Sequence, residues 1–277
     1  MRSSVVLEAG RRVCARPLTV LAVAVVAGSI SIVAGAAQVV QDDTIRIVAY
    51  NIHHGEGMDG QVDLERIAAL INDLRPDLVA LQEVDHSVER TGFVDQATEL
   101  GELTGLTATF GEFMRYQGGE YGMAVLSRWP IVATRNHRLP DGAEPRSALA
   151  LRVRSPASGR ELEFVGIHLY RTADERMAQA QQLADIYRST QTPVILAGDF
   201  NSTPDSEVIS LLARSWHFVR KGADHFTFPS TLPAREIDFV AYRPVRFKVL
   251  GQRLLDEPVA SDHRPLFLEL EWVTAPR

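Results

Sequence analysis

Apolar residues along the chain fall into short runs that switch between two periods. TIRIVAYNI, residues 44–52, alternates with Ile45, Ile47 and Ala49 on one face, the two-residue period of a strand. The segment DLERIAALINDLRP repeats every three to four residues instead. Leu64, Ile67, Ala68, Ile71 and Leu74 share one helical face, and Asp63 stands where the N-cap belongs. DLVALQEVD (77–85) reads as a short buried strand, and DQATELGELTG as a helix that stops at Gly105. YGMAVLSRWPIVATRNHRL reads as two strands turning near Arg128 to Pro130, and SALALRVRS and ELEFVGIHLY as two more across a PASG turn. ADERMAQAQQLADIYRST carries Met177, Ala180, Leu183, Ile186 and Tyr187 on the inward side of a helix. TPVILAGDF is a strand. A helix over SEVISLLARS follows, its start signalled by Thr203 as N-cap and Pro204 in the first position. EIDFVAY, FKVLGQRLL and PLFLELEW close the chain as strands.

Ten to twelve strands with four helices are too many strands for a simple doubly wound sheet, and consecutive hairpin-like strands imply antiparallel pairing. The fold expected is α/β, with two packed mixed β-sheets flanked by helices. No linker interrupts 44–273, which is expected to be one domain followed by a short tail, 274–277.

The first 36 residues follow another pattern. Arg2, Arg11, Arg12 and Arg16 give a basic start, and Leu18 to Ala37 is apolar or small without one charge. Ala34-Gly35-Ala36 resembles a signal cleavage site. The segment 1–36 reads as a secretory signal or, being long enough to span a bilayer, as an uncleaved membrane anchor. Residues 37–43 are then a short linker, and the domain is expected outside the cytoplasm, secreted, periplasmic or membrane-anchored. Cys14, the single cysteine, excludes an internal disulfide.

Composition narrows the picture little: 45% hydrophobic and 23% charged residues exclude a disordered chain. Charge does more. The chain carries −6, and the leader holds four arginines against Glu8, so the domain is more acidic than the whole. That disfavours nonspecific binding to nucleic acid, which is driven by phosphate neutralisation.

Candidate chemistry lies where apolar runs end. Asn51 ends VAYN, Glu83 ends LVALQE, His168 ends FVGIH, and Asp199 and Asn201 end VILAGDFN. Asp238 sits inside EIDFV, and Asp262 and His263 open the last strand. Singly, each reads as a turn residue, a cap or a structural histidine. Delivered together from rigid elements to one rim, they suit one task. Carboxylates such as Glu83 and Asp262 are hard ligands for Mg²⁺ or Mn²⁺. Neutral Asn51, Asn201 and His168 can donate to phosphate oxygens. A histidine beside a carboxylate is a general-base arrangement.

The motifs YNIHHG, LQEVD, GMAVLSR, GIHLY, GDFNSTP, EIDFV and SDHRPL, in this order, resemble the endonuclease/exonuclease/phosphatase superfamily. The superfamily includes DNases, abasic-site endonucleases, neutral sphingomyelinases and inositol polyphosphate 5-phosphatases. The resemblance covers about residues 44–273. It implies a four-layer α/β sandwich and divalent-metal phosphoesterase chemistry. By the same resemblance Glu83 is the main metal carboxylate, with Asn51 and Asp262 completing or supporting the site. His263 is the general base, oriented by Asp238; Asp199 positions or activates the water; Asn201 and His168 hold the phosphoryl oxygens. Which of His263 and Asp199 takes the proton stays open. His54, Arg90, Arg146 and Tyr121, from the intervening loops and strands, are candidates for substrate contact. The function expected is an exported phosphodiesterase acting on lipid headgroups or small phosphoesters, with a secreted nuclease as the alternative. Its partners are then a phosphate-ester substrate and a membrane lipid surface, with no protein partner expected.

Overall fold

The computed structural model describes residues 44–244 and 246–273. The leader and linker expected over 1–43 and the tail over 274–277 lie outside the described residues. Strands β1 (Thr44–Asn51), β2 (Leu78–His86), β3 (Thr107–Tyr116), β4 (Gly119–Ser127), β11 (Phe247–Leu254) and β12 (Leu266–Trp272) form one mixed sheet in the order β11-β12-β1-β2-β4-β3. The other sheet runs β5-β6-β7-β8-β10-β9, from β5 (Ile131–Arg138), β6 (Ser147–Arg154), β7 (Glu161–His168), β8 (Val194–Asp199), β9 (His217–Phe218) and β10 (Asp238–Arg243). Helices α1 (Leu64–Leu74) and α2 (Gln96–Thr104) cover the first sheet, and α3 (Ala173–Tyr187) and α4 (Glu207–Leu212) the second.

Three apolar clusters glue these four layers. The central one joins the inner faces of both sheets, with Ile45, Ile47, Leu78 and Val125 meeting Leu149, Phe164, Ile195 and Val240. The outer two seat the helices, Ile67 and Ile71 of α1 on Val48 and Val79, and Ala180 and Leu183 of α3 on Val165 and Leu196. Each such fully buried Ile or Leu contributes about 1.5–3 kcal/mol. Both outer and inner faces of the central strands are therefore buried, which is why LVAL and VILA read as continuous apolar runs.

Helix ends follow their caps. Asp63 accepts from the Arg66 amide at the start of α1, and Gly105 closes α2 at φ 67°. The start of α4 differs from expectation. Thr203 and Pro204 stand in a turn, and Ser206 caps the helix by accepting from the Ile209 amide. Thr203 donates to Asp205 instead, so its hydroxyl organises the turn and not the helix. The strands β3 and β9 are additions that the hydrophobic pattern did not announce. Among the described residues no helix is long and apolar enough to cross a membrane.

Candidate active site

Each sheet is built around one parallel pair joined by a helix: β1-α1-β2 in the first sheet, β7-α3-β8 in the second. Register sets the ends of these pairs level. Asn51 lies beside Gln82, His168 beside Asp199, and Asp238 opposite Asp199 on the antiparallel β10. Carboxyl ends of parallel strands open onto a crevice free of helix, the usual place for a ligand in α/β sheets. A bulge between Gln82 and Val84 brings Glu83 to φ 60°, and Asn201 stands at φ 48°. Such backbone is costly for residues with a Cβ and clusters at functional sites. The loop before β12 adds Asp262 and His263. It is fastened by Ser261, whose hydroxyl donates to the Asn51 carbonyl at 2.7 Å.

The polar ends form one network around Asp199. Its Oδ1 accepts from the Asn201 amide at 2.7 Å. Its Oδ2 lies 3.4 Å from His168 Nε2, 3.4 Å from Asn51 Nδ2 and 3.8 Å from His263 Nε2. Asn51 Nδ2 also donates to Glu83 Oε1 at 3.0 Å, so that amide ties the two sheets' carboxylates together. His263 Nδ1 is bonded to Asp238 Oδ2 at 2.9 Å. Asn201 Nδ2 lies 3.2 Å from His168 Nε2 and donates to the Leu169 carbonyl at 2.9 Å. Asn51, His168, Asp199, Asp238 and His263 are all buried, whereas Glu83 and Asp262 are partly open to the cleft.

Burial and crowding of charge shift these groups. Burial, with the Asp238 carboxylate beside it, raises Asp199 to about 7. Burial opposes charge on His263, but Asp238 outweighs it by charge and hydrogen bond, with Asp199 and Asp262 adding, and His263 rises to about 10. Burial, aided by Arg146, holds His168 well below the ordinary imidazole range, so it is neutral at pH 7. The result is an excess of carboxylate with one imidazolium to balance it.

That excess suits a divalent cation. The donor atoms of Asp199, Asp238 and His263 lie within 4.8 Å of one another, a buried group able to hold a metal ion. Within it, however, Asp238 and His263 are already bonded to each other. Glu83 is bonded only to the Asn51 amide, faces the cleft with Asp262, and has no cationic side chain in contact among the described residues. Oxygen donors of this kind fit a hard cation.

The cleft holds about 340 Å³. Eight of the expected residues line it: Glu83, Asp199, Asn201, His168, Asp262, His263, Tyr121 and Arg146. Asn51 and Asp238 lie just behind them, through the contacts given above. Two of the expected substrate contacts are elsewhere. Arg90 is spent on the buried Asp85, which its Nε and Nη2 reach at 2.7 and 2.8 Å, and it stacks over Tyr116. His54 is buried, with Nε2 at 3.3 Å from Glu56. Beyond the expected site residues, Glu144, Tyr170, Arg171, Phe228, Arg235 and Ile237 complete the wall. Ile237 stands inside EIDFV and Arg235 directly before it, so the motif itself was a usable signal. A larger cavity of about 620 Å³ lies behind α4, lined by Trp216, Phe218 and Phe239. There Lys221 donates to Glu236 at 2.6 Å. None of the network around Asp199 opens into it.

Residues 48–263 match the Endonuclease/Exonuclease/phosphatase family. The YbhP protein of Escherichia coli K12 is 28% identical over 251 residues, which cover 83% of this chain and 97% of that one. Among solved structures, an endonuclease/exonuclease/phosphatase from Beutenbergia cavernae superposes with a TM-score of 0.68 at 24% identity, over 84% of this chain and 73% of the other. The human nocturnin catalytic domain, with a bound sulfate anion, superposes with a TM-score of 0.65 at 24% identity, over 84% and 96%. The two-sheet sandwich is the fold of these structures, and the match over most of the chain places this protein in the Endonuclease/Exonuclease/phosphatase family, as a hydrolase of phosphate esters.

Proposed function

We propose that the chain is an exported Mg²⁺- or Mn²⁺-dependent phosphodiesterase that cleaves lipid headgroups or small phosphoesters. The observation that carries this reading is the single network joining Glu83, Asn51, Asp199, Asn201, His168, Asp238 and His263 across two sheets. Glu83, with Asp262 and Asn51, would hold the cation, which supplies Lewis-acid charge to the phosphoryl group when bound. Asn201 and neutral His168 donate to the non-bridging oxygens, where charge grows in the transition state.

The charge balance favours a division of labour between the two proton carriers. Asp199, raised to about 7, is ionised increasingly from neutral pH upward and takes the proton of the attacking water. His263, raised to about 10, keeps its proton there. It neutralises the phosphate and gives its Nε2 proton to the departing oxygen. A nearby cation lowers both groups, which leaves Asp199 ionised.

A cleft of about 340 Å³ suits a phosphoryl group on a small moiety better than a duplex, and a net acidic chain gains little from nonspecific attraction to nucleic acid. The deciding experiment incubates the protein with Mg²⁺ and, in parallel, plasmid DNA, vesicles of sphingomyelin or phosphatidylinositol, and sugar phosphates. Headgroup or sugar release with intact plasmid is expected. Plasmid nicking with no other product would establish the nuclease in its place. Export is supported by the basic start and apolar run of residues 1–37, and is checked by fractionating cells that produce the full chain.

A further inference from the structure

Three arginines from separate segments reach the cleft, and each lies against an aromatic ring of its wall. Arg146, at the entrance to β6, has its Cζ 4.9 Å from the centre of Phe113 and 5.4 Å from that of Tyr170. Arg171, just after β7, has its Cζ 5.9 Å from the same Tyr170 ring. Arg235, in the loop before β10, lies 5.8 Å from the Phe228 ring, which is itself 4.8 Å from the His263 ring. All three line the same cleft as Glu83 and Asp262. A guanidinium held against a ring has its orientation limited, and its N–H edges match phosphate oxygens two at a time.

Little of their charge is consumed inside the protein. Arg146 is buried and paired with Glu144, yet its Nε has no partner. Arg171 and Arg235 are exposed at the mouth and no carboxylate pairs with them among the described residues. Of the three guanidiniums that face the cleft, Arg146 alone is ion-paired, with Glu144. Arg115 is the contrast: it is bound to Glu120 at 3.0 Å and lies outside the cleft.

Hydrolysis of one phosphate needs one phosphoryl site, and Asn201, His168 and the Glu83 group provide it. Three further guanidiniums exceed what a single phosphate can use. We propose that Arg146, Arg171 and Arg235 form a second anion subsite, so that the preferred substrate carries another phosphate besides the one cleaved. The proposal rests on the phosphoesterase reading for which phosphate is cleaved, but its binding consequence is independent of turnover.

The test measures binding by calorimetry to the full chain in Mg²⁺. Glucose 1,6-bisphosphate is compared with glucose 6-phosphate, and phosphatidylinositol 4-phosphate vesicles with phosphatidylinositol vesicles. The doubly phosphorylated member of at least one pair should bind roughly tenfold or more tightly, and the responding pair tells a soluble source from a lipid one. The variant carrying Arg171→Gln and Arg235→Gln should reduce that preference to within about twofold, and Arg115→Gln should keep it. Equal binding within both pairs, or a preference unchanged in the double variant, overturns the subsite. Hydrolysis of bis(p-nitrophenyl) phosphate by the wild type is read alongside. Its absence with the preference intact counts against the phosphoesterase reading and supports the subsite; its presence without the preference does the reverse.

Discussion

Glu83 holds a backbone angle that glycine or asparagine adopts far more readily, and it adds to the carboxylate crowding that raises Asp199. Both costs are borne by the folded state for the sake of one side chain. Glu83→Asn should therefore stabilise the protein in chelator by about 1 kcal/mol in urea titration while lowering phosphoester turnover roughly a thousandfold. A loss of stability would show that the angle is relaxed there. With Asp199 as base and His263 as acid, as proposed, the rate profile is bell-shaped. Turnover should fall on acidification through the range where Asp199 protonates, and again on the alkaline side as His263 gives up its proton. Asp238→Asn removes the carboxylate that keeps His263 charged, so the alkaline limb should move down by about one pH unit or more. An unmoved limb would assign it to another group. At this scale the acids and histidines are legible in the sequence because they stand where apolar strands stop or start, a position that costs burial and needs a reason. The substrate wall is less legible. Arg90 looks as available as Arg146 in sequence, and only the burial of Asp85 beside it decides that its charge is used internally.

At the level of elements, β8 must deliver Asp199 without drifting from β7. Gly198 makes this close approach. It stands at φ 143°, and a Cβ there would lie 2.1 Å from the Ile167 carbonyl oxygen and 2.8 Å from Gln82 Nε2. Neither neighbour yields easily, one being ladder backbone and the other fully buried. Gly198→Ala should cost about 3 kcal/mol in chemical denaturation and displace Asp199, with turnover reduced by at least about tenfold in the fraction that folds. Strands and helices with both faces or one full stripe buried are readable from periodicity alone, as α1 and β8 are. Strand β3 is not, for two physical reasons. It is an edge strand with mostly half-buried positions, and a bulge between Glu112 and Met114 interrupts its alternation. The short β9 has two residues and no room for a period.

The molecule as a whole carries its carboxylate excess in the space between two sheets, and its stability should report that. The folded state raises His263 above its unfolded value, so that contribution is complete below about pH 6.5 and lost as pH rises through about 10. It also raises Asp199, a cost absent below about pH 4 and complete above about 7. Both act in one direction: in chelator, the melting temperature should fall between about pH 5 and about pH 9. Saturating Mg²⁺ should raise it by about 5 °C at the upper pH and by less at the lower, where carboxylates bind protons in its place. Glu83→Gln should abolish the response. A Mg²⁺ effect equal at both pH values would place the ion away from these acids. The architecture was legible as a count of strands and helices, but the meeting of distant segments was not, since no local pattern encodes which strand ends become neighbours. One such meeting, the bond from Ser261 back to Asn51, has a temporal consequence. Synthesis begins at the other terminus, so every earlier member of the network waits for residues 261–263 to be made. A chain interrupted before that closing stitch carries its acids and amides without the His263 imidazole, so the network is complete only once the last strand docks.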